Sequence, residues 1–140
     1  MNAPLPPGLD HVAIAVKDLD AAIAVYRDVL GLTLVEVEEV PDQQVRVAIF
    51  GHGQGRIELI CPTVKDSGVA KFLEKRGEGL HHLCVEVADI VATLATLKAQ
   101  GQPLIDEAPR IGAGGALIAF LHPRAGRGVL VELRQGKKAP

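Results

Sequence analysis

The sequence predicts an α+β fold built from two tandem βαβββ modules. Three observations predict it. The stretch "GLDHVAIAV", Gly8 to Val16, returns as "GLHHLCVEV", Gly79 to Val87. Each copy leads into a helix-type segment that ends at a glycine, Gly31 and then Gly101. Each half closes on an apolar strand with one glutamate inside it, "RIELICP" and "GVLVELRQ".

The elements follow in order. Residues 1–7 read as a flexible leader, without the basic start and apolar stretch of a secretory signal. In the first strand Val12, Ile14 and Val16 alternate with His11, Ala13 and Ala15, so one face is bulky and the other small. Asp18 is placed to cap a helix whose Leu19, Ala22, Ile23, Tyr26, Val29 and Leu30 recur at helical spacing. "LTLVEVEEV" and "QVRVAIF" alternate as strands, "GHGQG" turns the chain, and "RIELICP" ends module one near residue 62. Residues 63–78 form a linker in which Ser67 caps a short helix with Val69, Phe72 and Leu73 inward. Module two, about 79–135, repeats the plan. Leu83, Val85 and Val87 oppose His82, Cys84 and Glu86; Asp89 caps a helix carrying Ile90, Leu94 and Leu97; "PLIDE", "ALIAFLHP" and "GVLVELRQ" supply strands. Residues 136–140 are a tail, and 8–135 is expected to be a single domain.

Composition narrows the function. A formal charge of −2 on 140 residues offers no basic stripe for nucleic acid or an anionic membrane surface. No apolar run approaches the roughly 20 residues that span a bilayer. Cys61 and Cys84 lack metal-type spacing and read as reduced thiols of a cytoplasmic protein.

The histidines and glutamates repeat together. His82 lies 71 positions after His11 (82 − 11), and Glu132 lies 74 after Glu58 (132 − 58). On their strands the glutamates oppose large aliphatics, Ile57 and Leu59, then Val131 and Leu133. An ionised carboxylate on a half-buried face is costly unless it is paired or bound to metal. Two imidazoles and two carboxylates suit one divalent cation: Co²⁺, Ni²⁺, Mn²⁺, Fe²⁺ or Zn²⁺. The alternative is that both glutamates face solvent and the histidines are incidental.

Over about Gly8 to Gln135 the chain resembles the vicinal oxygen chelate superfamily. Within it, it is most similar to the methylmalonyl-CoA epimerases. The segments that carry this are "LDHVAIAVKDLDAAIAVYRDVLGL", "RIELICP", "VAKFLEKRGEGLHHLCVEVADI", "IDEAPRIGAGG", "AFLHP" and "GVLVEL". The resemblance implies modules that form a cupped mixed sheet with helices outside. It implies metal ligation by His11, Glu58, His82 and Glu132, although some members carry glutamine at the Glu58 position. It implies one divalent ion, Co²⁺ before the others, an acyl-CoA thioester substrate and a homodimer. The implied reaction interconverts (2R)- and (2S)-methylmalonyl-CoA through a metal-stabilised enolate, reprotonated on the opposite face. Some epimerases carry a glutamate assigned as the base where this chain has Val47. Glu132 and Glu58 are therefore the candidate proton carriers, with Glu86 third by strand parity unless it is a charge at the strand rim. Gln43 and Gln44 are candidates to approach a substrate carboxylate. "RIGAGG" reads as a covering loop or a plain surface loop, since it lacks the Lys–Ser/Thr of a P-loop. His52 and His81 are read as non-ligands and His122 as structural. The rival readings are a glyoxalase I type lactoylglutathione lyase and a non-catalytic small-molecule-binding module of the same fold.

Overall fold

The computed structural model describes residues 8–136, so the expected leader and all but the first residue of the tail lie outside the described residues. The chain forms two compact units. One spans His11–His81; the other joins the chain through Asp10 to the chain from His82 onward.

In the His11–His81 unit, strands β1 (Gly8–Ala15), β2 (Leu34–Val40), β3 (Val45–Phe50) and β4 (Arg56–Pro62) lie in the order β2-β3-β4-β1. The β1/β4 pair is parallel and the others antiparallel. Helix α1 (Leu19–Ala24) begins where Asp18 accepts a 3.0 Å hydrogen bond from the Ala21 N–H. It presses Leu19 and Ile23 against Val16, Ala48, Phe50 and Leu59. Each such side chain taken from water contributes about 1.5–3 kcal/mol. The other face of the sheet is set by register, in rows Ala13–Glu58–Ile49 and Ala15–Ile60–Val47.

The helical stripe departs from expectation at its end. After Ala24 the chain widens into a π-helical turn, Val25–Val29, closed by Leu30 N donating to the Val25 carbonyl at 2.9 Å. The wider turn carries Val29 and Leu30 off the buried face, to 78% and 58% exposure. Leu32 packs on the core instead. Helix α2 (Gly68–Arg76) is capped by Ser67, whose Oγ accepts from Ala70 N at 3.1 Å. It buries Val69 and Leu73, while the partly buried Phe72 sits edge-on to His81 at 4.8 Å.

In the other unit, β5 (Gly79–Glu86), β6 (Arg110–Ile111), β7 (Leu117–Leu121) and β8 (Val131–Gln135) lie in the order β5-β8-β7-β6, with β5/β8 parallel. Helix α3 (Ile90–Ala99), capped by Asp89, buries Ile90 and Leu94 on Ala119, Leu121 and Leu133. The segment "PLIDE" is not a strand. It makes one bridge, Leu104 to Leu121, after which Ile105 N and Asp106 N both donate to the Phe120 carbonyl. The Asp106 carboxylate takes the Phe120 N–H at 2.9 Å, so a side chain replaces a ladder bond. The edge strand comes from "RIGAGG" instead, pairing Arg110 with Ile118. No helix among the described residues is long and apolar enough to cross a membrane.

Candidate metal centre

Each unit contains a buried imidazole–carboxylate pair built in the same way. In β1/β4 the register sets Ala13 beside Glu58, and His11, two residues back on β1, reaches diagonally to it. His11 Nδ1 is 3.2 Å from Glu58 Oε2. In β5/β8 the register sets Cys84 beside Glu132, and His82, again two residues back, makes the same diagonal. His82 Nε2 is 3.1 Å from Glu132 Oε1. Glu58 and Glu132 are each 5% exposed, which removes the alternative of solvent-facing glutamates.

The parallel pairing is what makes this possible. Side chains of registered residues on parallel strands point to the same side, and the helix covers the opposite side. Ile57, Leu59 and Cys61 therefore go to the α1 core and Glu58 away from it. Leu133 and Val131 go to the α3 core and Glu132 away from it.

Electrostatics differ between the pairs. Glu58 has a further neighbour, the Arg56 guanidinium, whose Nη2 lies 3.4 Å away and is brought to its side by strand parity. The His82 ring meets the Phe120 ring edge-on at 5.4 Å, and Phe120 is the registered neighbour of Glu132. With each glutamate ionised, the facing imidazole nitrogen must carry the proton of the hydrogen bond. A divalent cation bound there would replace that proton and could be held by the imidazole nitrogen and the carboxylate oxygen, so the donor set fits such an ion. His82 and Glu132 belong to one group with donor atoms close enough to hold a metal.

The other residues singled out in the sequence fall elsewhere. Glu86 is neither at a rim nor open to a substrate. It is 2% exposed and accepts from Arg134 Nη1 at 2.7 Å and from Gly136 N at 2.8 Å. Arg134 Nη1 also stands 3.5 Å from Asp10. Burial opposes the guanidinium's charge, but Asp10 and Glu86 outweigh it and hold the Arg134 pKa above its usual value. The reading of the sequence missed Asp10 and Arg134. Strand parity was the available signal, since Arg134 follows Glu132 by two. Val47 is buried in the row between Glu38 and Ile60, an aliphatic position. Gln44 takes the left-handed region, φ 57°, to close the turn before β3, and its carbonyl accepts from Thr63 N. His52 is exposed in a turn, and His122 Nδ1 accepts from Arg124 N at 3.0 Å in the turn after β7.

A repeated βαβββ unit with a histidine on its first strand and a glutamate on its last defines a class of protein. The profile of the Glyoxalase/Bleomycin resistance protein/Dioxygenase superfamily matches residues 10–120, and the chain belongs to that superfamily. Its relatives are narrower than that. The ethylmalonyl-CoA/methylmalonyl-CoA epimerase of Cereibacter sphaeroides is 44% identical over 91% of this chain and 96% of its own. The crystal structure of methylmalonyl-CoA epimerase from Mycobacterium tuberculosis is 43% identical, with a TM-score of 0.88 over 95% of this chain and 89% of that one. A variant of the Streptomyces coelicolor methylmalonyl-CoA epimerase, in complex with 2-nitronate-propionyl-CoA, is 36% identical, with a TM-score of 0.90 over 95% of this chain and 98% of that one. These relatives are isomerases.

Proposed function

We propose that this chain is a divalent-metal-dependent isomerase that epimerises methylmalonyl-CoA, with His11, Glu58, His82 and Glu132 holding one ion. The observation that carries it is the buried imidazole–carboxylate pair repeated at the same diagonal of two parallel strand pairs. The reading is supported by 44% identity to an ethylmalonyl-CoA/methylmalonyl-CoA epimerase across nearly the whole chain.

The substrate's α-carbon lies between a carboxylate and a thioester carbonyl, and its proton is weakly acidic. Removing that proton puts negative charge on the thioester oxygen. When bound, the ion supplies positive charge where that charge develops. The nitrogen and oxygen donor set suits Co²⁺, Mn²⁺, Ni²⁺, Zn²⁺ or Fe²⁺, and the family resemblance favours Co²⁺ among them. Inversion needs a proton taken on one face and returned on the other. Glu58 and Glu132 are the proposed carriers. Arg56 Nη2, 3.4 Å from Glu58 Oε2, distinguishes the surroundings of Glu58 from those of Glu132, and either glutamate is proposed for either step. Val47 leaves an aliphatic wall, and Glu86 is held by Arg134, so neither supplies a base.

We further propose one domain over 8–135, with modules at about 8–62 and 79–135 joined by the linker helix of 63–78. The protein is proposed to act as a cytoplasmic homodimer. The deciding experiment is proton NMR of methylmalonyl-CoA in D₂O with metal-loaded protein. Loss of the α-proton signal with racemisation is expected. An unchanged spectrum, with turnover of the glutathione–methylglyoxal adduct instead, would move the assignment to a lactoylglutathione lyase.

A further inference from the structure

Glu86 and Arg134 are registered neighbours on β5 and β8, in the row next to Cys84–Glu132 and on the sheet side of His82 and Glu132. The first module fills the same row with Ala15 and Ile60, registered neighbours at 0% and 4% exposure. A βαβββ unit of this kind therefore packs with an apolar pair there. A buried ion pair gains little net stability over such a pair, because taking both charges from water offsets most of their attraction. What the charged pair adds is a defined partner for each side chain.

Glu86 spends both carboxylate oxygens on β8 and the residue that follows it. Oε1 accepts from Arg134 Nη1 at 2.7 Å, and Oε2 accepts from Gly136 N at 2.8 Å. The guanidinium itself lies against the Gly136 main chain, where an added Cβ would stand 2.9 Å from Nη1. β5 thus holds this end of the chain at two points, two residues apart. The hold matters because β8 is short, five residues from Val131 to Gln135. A slide of two residues along β5 would keep every side chain on its own face and offer the same main-chain donors and acceptors. Side chains alone oppose it, and the two bonds of Glu86 would both break. His82 Nε2 lies 3.1 Å from Glu132 Oε1, and such a slide would carry Glu132 about 7 Å along the strand.

Resting on the reading of His82 and Glu132 as metal ligands, we infer that Glu86 and Arg134 are positioning residues for the metal centre. Their ion pair holds β8 in the register that brings Glu132 to His82, so this half of the centre is formed before an ion arrives. Arginine suits the task because its planar fork fixes direction as well as distance.

The test imports the first module's pair as the double variant Glu86→Ala/Arg134→Ile, beside Arg134→Lys, Gly136→Ala and a control, Leu94→Ala, which weakens the α3 core. Fold and stability are followed by circular dichroism and urea unfolding. The His82–Glu132 hydrogen bond is followed in metal-free protein by the ring ¹⁵N–¹H signal of His82, and the affinity for Co²⁺ by calorimetry. The double variant is expected to stay folded, to lose the wild-type His82 signal, and to bind Co²⁺ with a Kd raised about tenfold or more. Arg134→Lys should recover most of both. Gly136→Ala, which pushes the guanidinium aside while leaving both charges, should raise the Kd in the same direction. Leu94→Ala should be less stable with signal and Kd unchanged. A wild-type signal and Kd in the double variant overturn the inference, as does an equal loss in Leu94→Ala. Where the double variant does not fold, Gly136→Ala decides: a raised Kd with an altered His82 signal upholds the inference, and no change in either overturns it. A wild type that binds no Co²⁺ defeats the metal reading, and the His82 signal then decides alone whether the ion pair positions Glu132.

Discussion

Glu58 and Glu132 are as buried as the aliphatic residues around them, and each has an imidazole against one oxygen. A glutamine in either place keeps the volume and an oxygen lone pair but cannot take up a proton at neutral pH. Glu58→Gln and Glu132→Gln are expected to keep much of the bound metal while stopping deuterium incorporation at the α-carbon, read by elemental analysis and NMR. Full exchange in both variants would remove both carboxylates as proton carriers. Arg134 tests a different kind of burial. It stands between Glu86 and Asp10, at 2.7 and 3.5 Å, and both acids are buried. Arg134→Ala takes the cation from two buried carboxylates, and a loss of about 3–5 kcal/mol is expected by urea unfolding. The two clusters were not equally legible. His11, Glu58, His82 and Glu132 stood out because the repeat presents them twice. The Asp10–Arg134–Glu86 group has no echo in the first module, where Ile60 stands 74 positions before Arg134 (134 − 74). Strand parity puts Arg134 on the face of Glu132 and Glu86 on the face of His82, but nothing in the sequence pairs the two with each other or with Asp10.

The strands were legible because each has one face packed under a helix, which imposes a period of two. The caps at Asp18, Ser67 and Asp89 were legible because a short acceptor side chain before an apolar helix has one obvious use. Two elements were not. A π-helical turn has no compositional mark, so Val29 and Leu30 read as core although they are exposed. β6 is two residues long, too short for a period, and its neighbour "PLIDE" alternated like a strand while Asp106 took the ladder bond with its side chain. Substitution separates these cases. Val29→Lys is expected to change stability by no more than about 0.5 kcal/mol. Leu94→Ala, beneath α3, is expected to cost about 2–5 kcal/mol. A large loss at Val29 would show that the π-helical turn does not persist in solution. Gly112→Ala should cost about 1–3 kcal/mol, because the added methyl group meets the buried Ile118 side chain.

At the scale of the whole chain the question is whether two like pairs serve one ion or two. The proposal assigns one ion to four ligands, two from each module. The rival arrangement gives each imidazole–carboxylate pair its own ion, and two-donor sites of that kind would bind weakly. Metal content in single and double variants separates them, because residues that act together give non-additive losses. Wild type is expected to hold one ion per chain. His11→Ala and His82→Ala should each lose most of it, and the double variant should lose little more. The thermal midpoint should follow occupancy, since an ion that binds only the folded chain adds about 2.7 kcal/mol at a hundredfold excess over Kd. A chelator should therefore lower the wild-type midpoint and barely move that of either single variant. Content that falls from two ions to one in each single variant, and to none in the double, would mean that the repeated pairs are separate sites, and that neither can be credited with the chemistry of the four together.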